Sequence, residues 1–402
     1  MVTEKERLAA KVEEERRKQA EAEVRARYST LMSQGHTDIN NGDYNGAIAA
    51  FSDAMRLDPK NALAFANRGV AYERKGDMDR AIADYSEAIR LNPNYALASS
   101  NRGIAYARKG DNDRAIADFN EAIRLDPKNA AAFGGRGLAY MRKGDTDRGI
   151  ADYNEAIRLD PKNALTFANR GIAYVNKGDN DRGIADYNEA IRLNPTNPAA
   201  FGGRGLAYMR KGDTDRAITD YNEAIRLNPN NAITFANRGI AYANKGDNDR
   251  ALADYSEAIR LNPNYATAFV SRGIAYANKG NNNRALADYN EALRLNPKDS
   301  ISFYNRGVIY MNQSDNDRAL ADYNEAIRLN PNYAHALGNR GVIYARKGDN
   351  KRALADYNEA IRFDPNGALI LCNRGRLKLH MNDPSGNADV AKARQLGASI
   401  CR

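Results

Sequence analysis

The chain has 402 residues, with 60 Lys and Arg against 51 Asp and Glu, and a formal net charge of +9. Two cysteines exclude a small disulfide-rich scaffold, and no apolar run approaches the roughly 18 residues of a transmembrane helix. Three His, two Cys and no Trp leave few side chains for metal binding or nucleophilic chemistry, so we expect no metal and no cofactor. Residues 1–21 lack the apolar segment of a signal peptide, which predicts a cytoplasmic protein.

Residues 1–27 form a charged segment in which Glu alternates with Lys or Arg. After Thr3, its large apolar side chains are Leu8, Val12 and Val24. The pattern predicts a solvated charged helix. A coiled-coil dimer is the alternative, but the segment holds fewer than four clean heptads, and the sequence leaves the oligomeric state open.

The rest of the chain, residues 28–402, is an array of internal repeats. Ten of the 12 prolines recur at intervals of 34 residues, and such a fixed period is the signature of a repeat architecture. The repeats begin at residues 28, 62, 96, 130, 164, 198, 232, 266, 300, 334 and 368. Two repeats that lie 68 residues apart contain an identical stretch, residues 131–148 and 199–216, and such near-identical repeats cannot each recognise a different ligand feature.

Each repeat is predicted to contain two helices. In the repeat at residues 62–95 the first helix covers residues 63–75, and Gly76-Asp77 provides the turn. The second helix covers residues 79–91 and ends before Pro93. Small and aromatic residues recur at helical spacing, so that two helices can approach closely around one ring. These residues are Phe65, Gly69, Tyr72, Ala81, Tyr85 and Ala88.

This pattern resembles the tetratricopeptide repeat family, whose motif places a large residue at position 4, Gly or Ala at 8, Tyr at 11, Ala at 20, an aromatic at 24, Ala at 27 and Pro at 32. The resemblance covers about 374 of the 402 residues. It implies an all-α fold, a right-handed solenoid of about eleven 34-residue repeats, with the first helices on the concave side. Position 7 departs from the family, which usually has Leu there, because it is Arg from the second repeat onward.

The first and last repeats deviate further and are predicted to act as polar caps that stop the stacking. Asp38 and Lys378 replace the motif Tyr, and Pro384 and Asn387 interrupt the last helix. Cys372 and Cys401 lie at the two ends of the last repeat. We expect them to remain thiols, although they could meet across its two helices.

The candidate binding site is a stripe on the first helix. Projection at 100° per residue places positions 2, 5, 6, 9 and 13 together. Asn at position 6 resembles the peptide-lining ladder of the O-GlcNAc transferase array, since an amide can both donate to and accept from a peptide backbone; its alternative role is to bond neighbouring helices. The candidate groove residues are Asn67, Asn101, Asn169, Asn237, Asn305, Asn339 and Asn373, with Arg74, Arg108, Arg142 and Arg210 at position 13 and Ile172 and Ile240 at position 9.

The resemblance implies a scaffold without catalytic activity that binds an extended or helical protein segment in the groove. The carboxylate clamp found in some members needs Lys at position 5 and Asn at position 9, and no repeat has them. Paired charges rather than a basic stripe argue against nucleic acid. Two alternatives remain, an RNA-binding helical repeat and a targeting subunit that recruits a catalytic chain. The repetitive composition resembles that of bacterial proteins.

Two packing predictions follow from the repeat. Arg at position 7 and Asp at position 23 are both missing from the first repeat, and this co-occurrence predicts ion pairs such as Arg136 with Asp152 and Arg170 with Asp186. The competing partner for Asp152 is Arg148, four residues earlier on the same helix. Ala156 at position 27 is predicted to pack tightly between helices.

Overall fold

The computed structural model describes residues 4–398 and 401. Within these residues all regular structure is helical and no strand occurs. The chain divides into two compact segments, Met1–Ala207 and Tyr208–Arg402, called here the N-terminal and the C-terminal segment. Each is an α-solenoid in which consecutive helices pack as antiparallel pairs and each pair packs on the next. The all-α solenoid predicted from the sequence is thereby confirmed.

The helices follow the 34-residue period along the chain. The N-terminal segment contains α1 (Glu4–Asn40), α2 (Tyr44–Leu57), α3 (Ala62–Lys75), α4 (Met78–Leu91), α5 (Ala96–Arg108), α6 (Asn112–Leu125), α7 (Ala130–Arg142), α8 (Thr146–Leu159), α9 (Ala164–Asn176), α10 (Asn180–Leu193) and most of α11 (Pro198–Arg210).

The C-terminal segment continues the same alternation of a first and a second helix. It contains α12 (Thr214–Leu227), α13 (Ala232–Asn244), α14 (Asn248–Leu261), α15 (Ala266–Asn278), α16 (Asn282–Leu295), α17 (Ser300–Asn312), α18 (Asn316–Leu329), α19 (Ala334–Arg346), α20 (Asn350–Phe363), α21 (Ala368–His380) and α22 (Gly386–Gln395).

The ends of the helices are set by local side-chain chemistry. Asp145 caps α8, because its carboxylate accepts a hydrogen bond from the backbone N–H of Arg148 at 3.1 Å. The preceding Gly144 has φ +83°, a left-handed conformation that glycine adopts without steric cost. The repeat at residues 300–333 places Ser314 at the same position with φ 63°, so a strained turn closes that first helix.

From the first repeat to the tenth, the core of the repeat is one aromatic ring surrounded by small residues. Tyr153 is buried, and a Cβ added to Gly137 on the facing helix would lie 3.0 Å from its ring. Ala156, one turn further along, is 1% exposed. The small residues therefore allow the two helices to close around the ring, as the sequence predicts.

An ion pair links the two helices of the repeat. Arg136 donates to Asp152 through Nε at 2.8 Å and Nη2 at 2.7 Å, and Asp152 is buried. The competing Arg148 instead pairs with Asp145. The bidentate geometry is one that guanidinium forms well with a carboxylate, so the predicted pairing is confirmed; the same geometry joins Arg170 to Asp186.

The same guanidinium also reaches the preceding repeat. The third donor of Arg136, Nη1, lies 2.7 Å from the amide oxygen of Asn120, and Arg102 donates in the same way to Ser86 at 3.0 Å. Its hydrogen bond to Asp152 raises the pKa of Arg136 above the ordinary arginine value, so it stays charged. Each such arginine contacts three helices and thereby fixes how its repeat packs on the preceding repeat.

The N-terminal helix α1 combines the charged segment with the first helix of the first repeat. Residues 4–27 are exposed on every side, and burial begins at Tyr28. Pairs such as Lys18 with Glu14, 2.7 Å apart, connect successive turns of the exposed part. No helix end separates the two parts, so the boundary at residue 28 stays a proposal based on the repeat and on burial.

The last repeat is altered but keeps its ion pair. Its second helix, α22, begins only after Pro384, as the interrupted motif predicts. Arg374 therefore pairs with Asp389, 15 residues away rather than 16, at 2.6 and 2.7 Å. Cys372 and Cys401 form a disulfide with a Cα–Cα distance of 5.9 Å. The expectation of two thiols is thus wrong, because the end of the chain folds back against α21.

Candidate functional site

The first helices of successive repeats lie against one another. In the N-terminal segment α3, α5, α7 and α9 form one contacting series, and in the C-terminal segment α13, α15, α17, α19 and α21 form another. Among the described residues, successive second helices make no comparable contact. The first helices therefore converge in each segment and present one continuous surface.

This surface, called here the first-helix face, consists of positions 2, 6, 9 and 13 of the first helices. Position 2 carries its most exposed aliphatic side chains, for example Leu165 at 63%. At position 9, Ile172 is 47% and Ile240 38% exposed. Single exposed aliphatic residues are common on proteins, but here they recur in register along each segment.

Position 5 is covered by neighbouring helices in several repeats. Ala66 is only 3% exposed and packs with Ala88 and Ala98 of the neighbouring helices. The prediction that position 5 lines the groove is therefore wrong for this repeat, because the next first helix covers that side of the helix. The residues at position 5 that are half-buried, as those at position 6 are, are Gly134, Gly202, Val270 and Tyr304.

The seven asparagines at position 6 are all half-buried at the edge of this face. Two have partners in the chain: the amide nitrogen of Asn67 lies 3.2 Å from His36 Nε2, and Asn339 donates to two tyrosine hydroxyls. In the described part of the chain the other five side-chain amides make no hydrogen bond. They are Asn101, Asn169, Asn237, Asn305 and Asn373. The structural role is thus seen at Asn67 and Asn339, and ligand binding by the five unpartnered amides stays a prediction.

The arginines at position 13 are exposed at the C-terminal end of the first helices. Arg108 lies 3.1 Å from Glu73 of the preceding repeat, and Arg142 donates to the carbonyl oxygen of Ala107 at 2.6 Å. Arg74 and Arg210, at the same position, are exposed too. Some of these side chains therefore hold neighbouring repeats together, which the sequence reasoning did not foresee.

A second series of contacts between repeats was also missed. Lys143 pairs with Asp113 of the preceding repeat, and the lysines of other repeats form the same pair. The available signal was a Lys and an Asp separated by 30 residues throughout the array. Because the two residues lie on different repeats, neither helical periodicity nor i,i+4 pairing reveals them.

Two kinds of site are absent from the described residues. None of their His, Cys, Asp and Glu side chains come together in threes or more in a way that would hold a metal ion. No helix described here combines the length and apolar character needed to cross a bilayer.

Comparison with known families matches the repeats to two related models. The model described as "Tetratricopeptide repeat" matches residues 32–96, 100–164 and 304–368. The model described as "TPR repeat" matches residues 173–212, 205–246, 241–280 and 273–314. A model of anaphase-promoting complex subunit 5 matches only residues 65–131. No curated protein matches the chain in sequence.

Solved structures share the fold at low sequence identity. A tetratricopeptide repeat protein from Parabacteroides merdae is 21% identical, with a TM-score of 0.50 over 62% of this chain and 99% of that one. The APC/C hetero-tetramer Cut9-Hcn1 contains a chain that is 15% identical, with a TM-score of 0.53 over 92% and 94%. Yeast Tom70 gives a TM-score of 0.46 at 15% identity over 93% of each chain. Since the two repeat models together match most of the sequence, the chain belongs to the tetratricopeptide repeat family.

Proposed function

We propose that the protein is a scaffold without catalytic activity that binds an extended segment of a partner protein along the first-helix face. The observation that carries the proposal is the combination on one surface of exposed aliphatic side chains and unpartnered amides. Asn169 and Asn237, for example, lie beside Ile172 and Ile240 on the same helices. Amides can pair with a peptide backbone of any sequence, and the isoleucines add apolar contact without strong side-chain selection.

The convergence of the first helices supports a binding groove. A surface formed by closely spaced helices curves inward, and tetratricopeptide repeats present such surfaces to their partners. Cut9-Hcn1, which shares the fold, is a hetero-tetramer, so a chain of this architecture assembles with a second protein. The near-identity of the repeats favours a partner with an extended or repetitive conformation.

The distribution of charge favours protein over RNA. Arginines of the second helices are engaged within the chain: Arg158 pairs with Glu155, and Arg148 with Asp145. A phosphate-binding surface needs a row of available cations. We therefore expect RNA binding to be weak and to disappear as salt is raised, whereas binding of an apolar extended segment should persist.

Co-purification followed by mass spectrometry tests the proposal. The wild-type chain is compared with a variant in which Asn237, Asn305 and Asn373 are changed to Ala. A control variant carries the same number of changes at the exposed Asn264, Asn283 and Asn332, which lie outside the first helices. We expect a protein partner that co-purifies with the wild type and the control variant but not with the variant changed at Asn237, Asn305 and Asn373. A partner retained equally by both variants would place binding elsewhere.

A further inference from the structure

One repeat departs from the others at position 5. From the second repeat onward that position is small or medium-sized in every repeat except the one at residues 300–333, where it is Tyr304. The other residues at position 5 are Ala66, Ser100, Gly134, Ala168, Gly202, Ala236, Val270, Gly338 and Cys372. A large ring at this position therefore marks one point in an otherwise uniform array.

Further aromatic side chains lie close to Tyr304. Its ring centroid lies 4.8 Å from that of Tyr333 and 6.4 Å from that of His335. Tyr304 and Tyr333 are half-buried, while His335 is exposed at position 2 of the first-helix face. The rings thus lie at the edge of the proposed groove, with part of their surface open to solvent.

An amide holds the cluster in place. The side-chain nitrogen of Asn339 donates to the hydroxyl of Tyr323 at 3.3 Å and to that of Tyr304 at 3.5 Å. Its carbonyl oxygen accepts no hydrogen bond from the described residues. The cluster therefore combines fixed aromatic rings with one available acceptor.

The chain's own cations leave the rings of this cluster uncovered. Position 13 is Asn in three consecutive repeats, at Asn244, Asn278 and Asn312, and the acidic residues of the repeat at residues 300–333 are each paired with other cations of the chain. Tyrosines at position 11 are covered by the chain's own arginines, as Tyr310 is by Arg318 at 4.6 Å. No described Arg or Lys lies over Tyr304 or Tyr333 in this way.

We propose that Tyr304, Tyr333 and Asn339 form a subsite for an arginine side chain of the bound segment; this deepens the proposed function and rests on it. A planar guanidinium stacks on tyrosine rings and donates to an amide oxygen. Because near-identical repeats cannot fix the position of an extended segment, a single distinct subsite sets its register along the face.

The chain itself offers a matched variant. Tyr304→Ala restores Phe-Ala-Asn-Arg-Gly, the sequence of residues 65–69, 167–171 and 235–239, so the fold should tolerate it. Tyr265→Ala is the control, since Tyr265 occupies the same repeat position as Tyr333 but has no tyrosine beside it at position 5. Thermal unfolding of both variants checks that the solenoid is intact.

The test uses the full chain with tyrosine rings labelled for NMR, and N-acetyl-arginine amide as the probe. The neutral isostere N-acetyl-citrulline amide and N-acetyl-glutamate amide are the comparison probes. We expect saturable shifts of the Tyr304 and Tyr333 signals with the arginine probe, with at least about fivefold weaker binding of citrulline. Tyr304→Ala should abolish the shifts of the Tyr333 signals, and Tyr265→Ala should preserve those of both rings.

Equal binding of the arginine and citrulline probes, preference for the glutamate probe, or no saturable shift with any probe would overturn the subsite. Since a single-residue probe engages Asn339 but none of the five unpartnered asparagines of the ladder, this result does not depend on those five. If the arginine probe does not bind but partner binding still requires the ladder asparagines, the subsite is rejected and the proposed function is retained. If the probe binds but substitution of the ladder asparagines does not weaken partner binding, the proposed function is rejected and the subsite is retained.

Discussion

Arg136 and Asp152 connect the two helices of one repeat through two hydrogen bonds of 2.8 and 2.7 Å, and the same guanidinium holds Asn120 of the repeat before it. The family usually fills position 7 with Leu. From the second repeat onward, an arginine takes the place of that apolar side chain and adds a directional link between repeats. We therefore expect stability to depend on these pairs.

Asp152→Asn should lower the free energy of unfolding by about 1–3 kcal/mol, because it leaves a mostly buried guanidinium without its counter-charge. Chemical denaturation measures the change. Glu155→Gln, which removes an exposed pair with Arg158, is the control and should have little effect. Equal effects of the two changes would show that the buried pair has no special role.

Ala156→Leu should destabilise the array by about 1–3 kcal/mol, because the position is 1% exposed and has no room for a larger side chain. The matched control is Ala131→Leu, at the exposed position 2 where other repeats already carry Leu. Chemical denaturation of both variants is the measurement. A neutral Ala156→Leu would mean that the packing between these helices is looser than described.

Ser314→Gly should stabilise the C-terminal segment by about 1 kcal/mol, because Ser314 occupies a left-handed conformation that glycine adopts freely. Gly144→Ser, at the equivalent turn with φ +83°, should destabilise by a similar amount. Differential scanning calorimetry of the two variants tests the pair. If both changes shift the unfolding temperature in the same direction, the strain interpretation is wrong.

Stability should fall in acid. Hydrogen bonds from the backbone and side chain of the arginine three residues later lower the pKa of the capping carboxylates below 3.8, as at Asp77, Asp111 and Asp247. A carboxylate whose pKa is lower in the folded than in the unfolded chain stabilises the fold above its unfolded pKa. That contribution disappears as the pH falls through the folded value.

Thermal unfolding followed from neutral pH down to below 3.8 measures this dependence. Asp111→Asn should reduce the acid sensitivity, since a neutral amide already caps α16 at Asn281, where it accepts from the backbone N–H of Arg284. An unchanged pH profile in the variant would show that the caps do not couple to acid unfolding.

The sequence predicted those features that lie within one helix or one repeat. The ring of Tyr153 against Gly137 follows from helical spacing, and the pair of Arg136 with Asp152 follows from co-occurrence. Position 5 was misplaced in the repeats where it is buried, because a projection treats each helix as isolated, whereas Ala66 is covered by the next repeat. Helical periodicity therefore does not predict features that depend on how the repeats stack.

The remaining errors have the same physical origin. The pairing of Lys143 with Asp113 crosses between repeats, and the Tyr304 cluster joins residues of two repeats whose rings meet only after stacking. The disulfide between Cys372 and Cys401 joins the two ends of the last repeat, whose second helix departs from the motif. Helical periodicity within one repeat reveals none of these contacts.

We propose that the first-helix face binds an extended protein segment through its unpartnered amides. The dissociation constant of an identified partner segment, measured for the wild type and for the Asn237, Asn305 and Asn373→Ala variant, tests this binding mode. Each lost amide contact should weaken binding by about 0.5–1.5 kcal/mol, so the triple change predicts at least about tenfold lower affinity with unchanged unfolding. An affinity equal to that of the wild type would contradict the account and assign the asparagines a purely structural role.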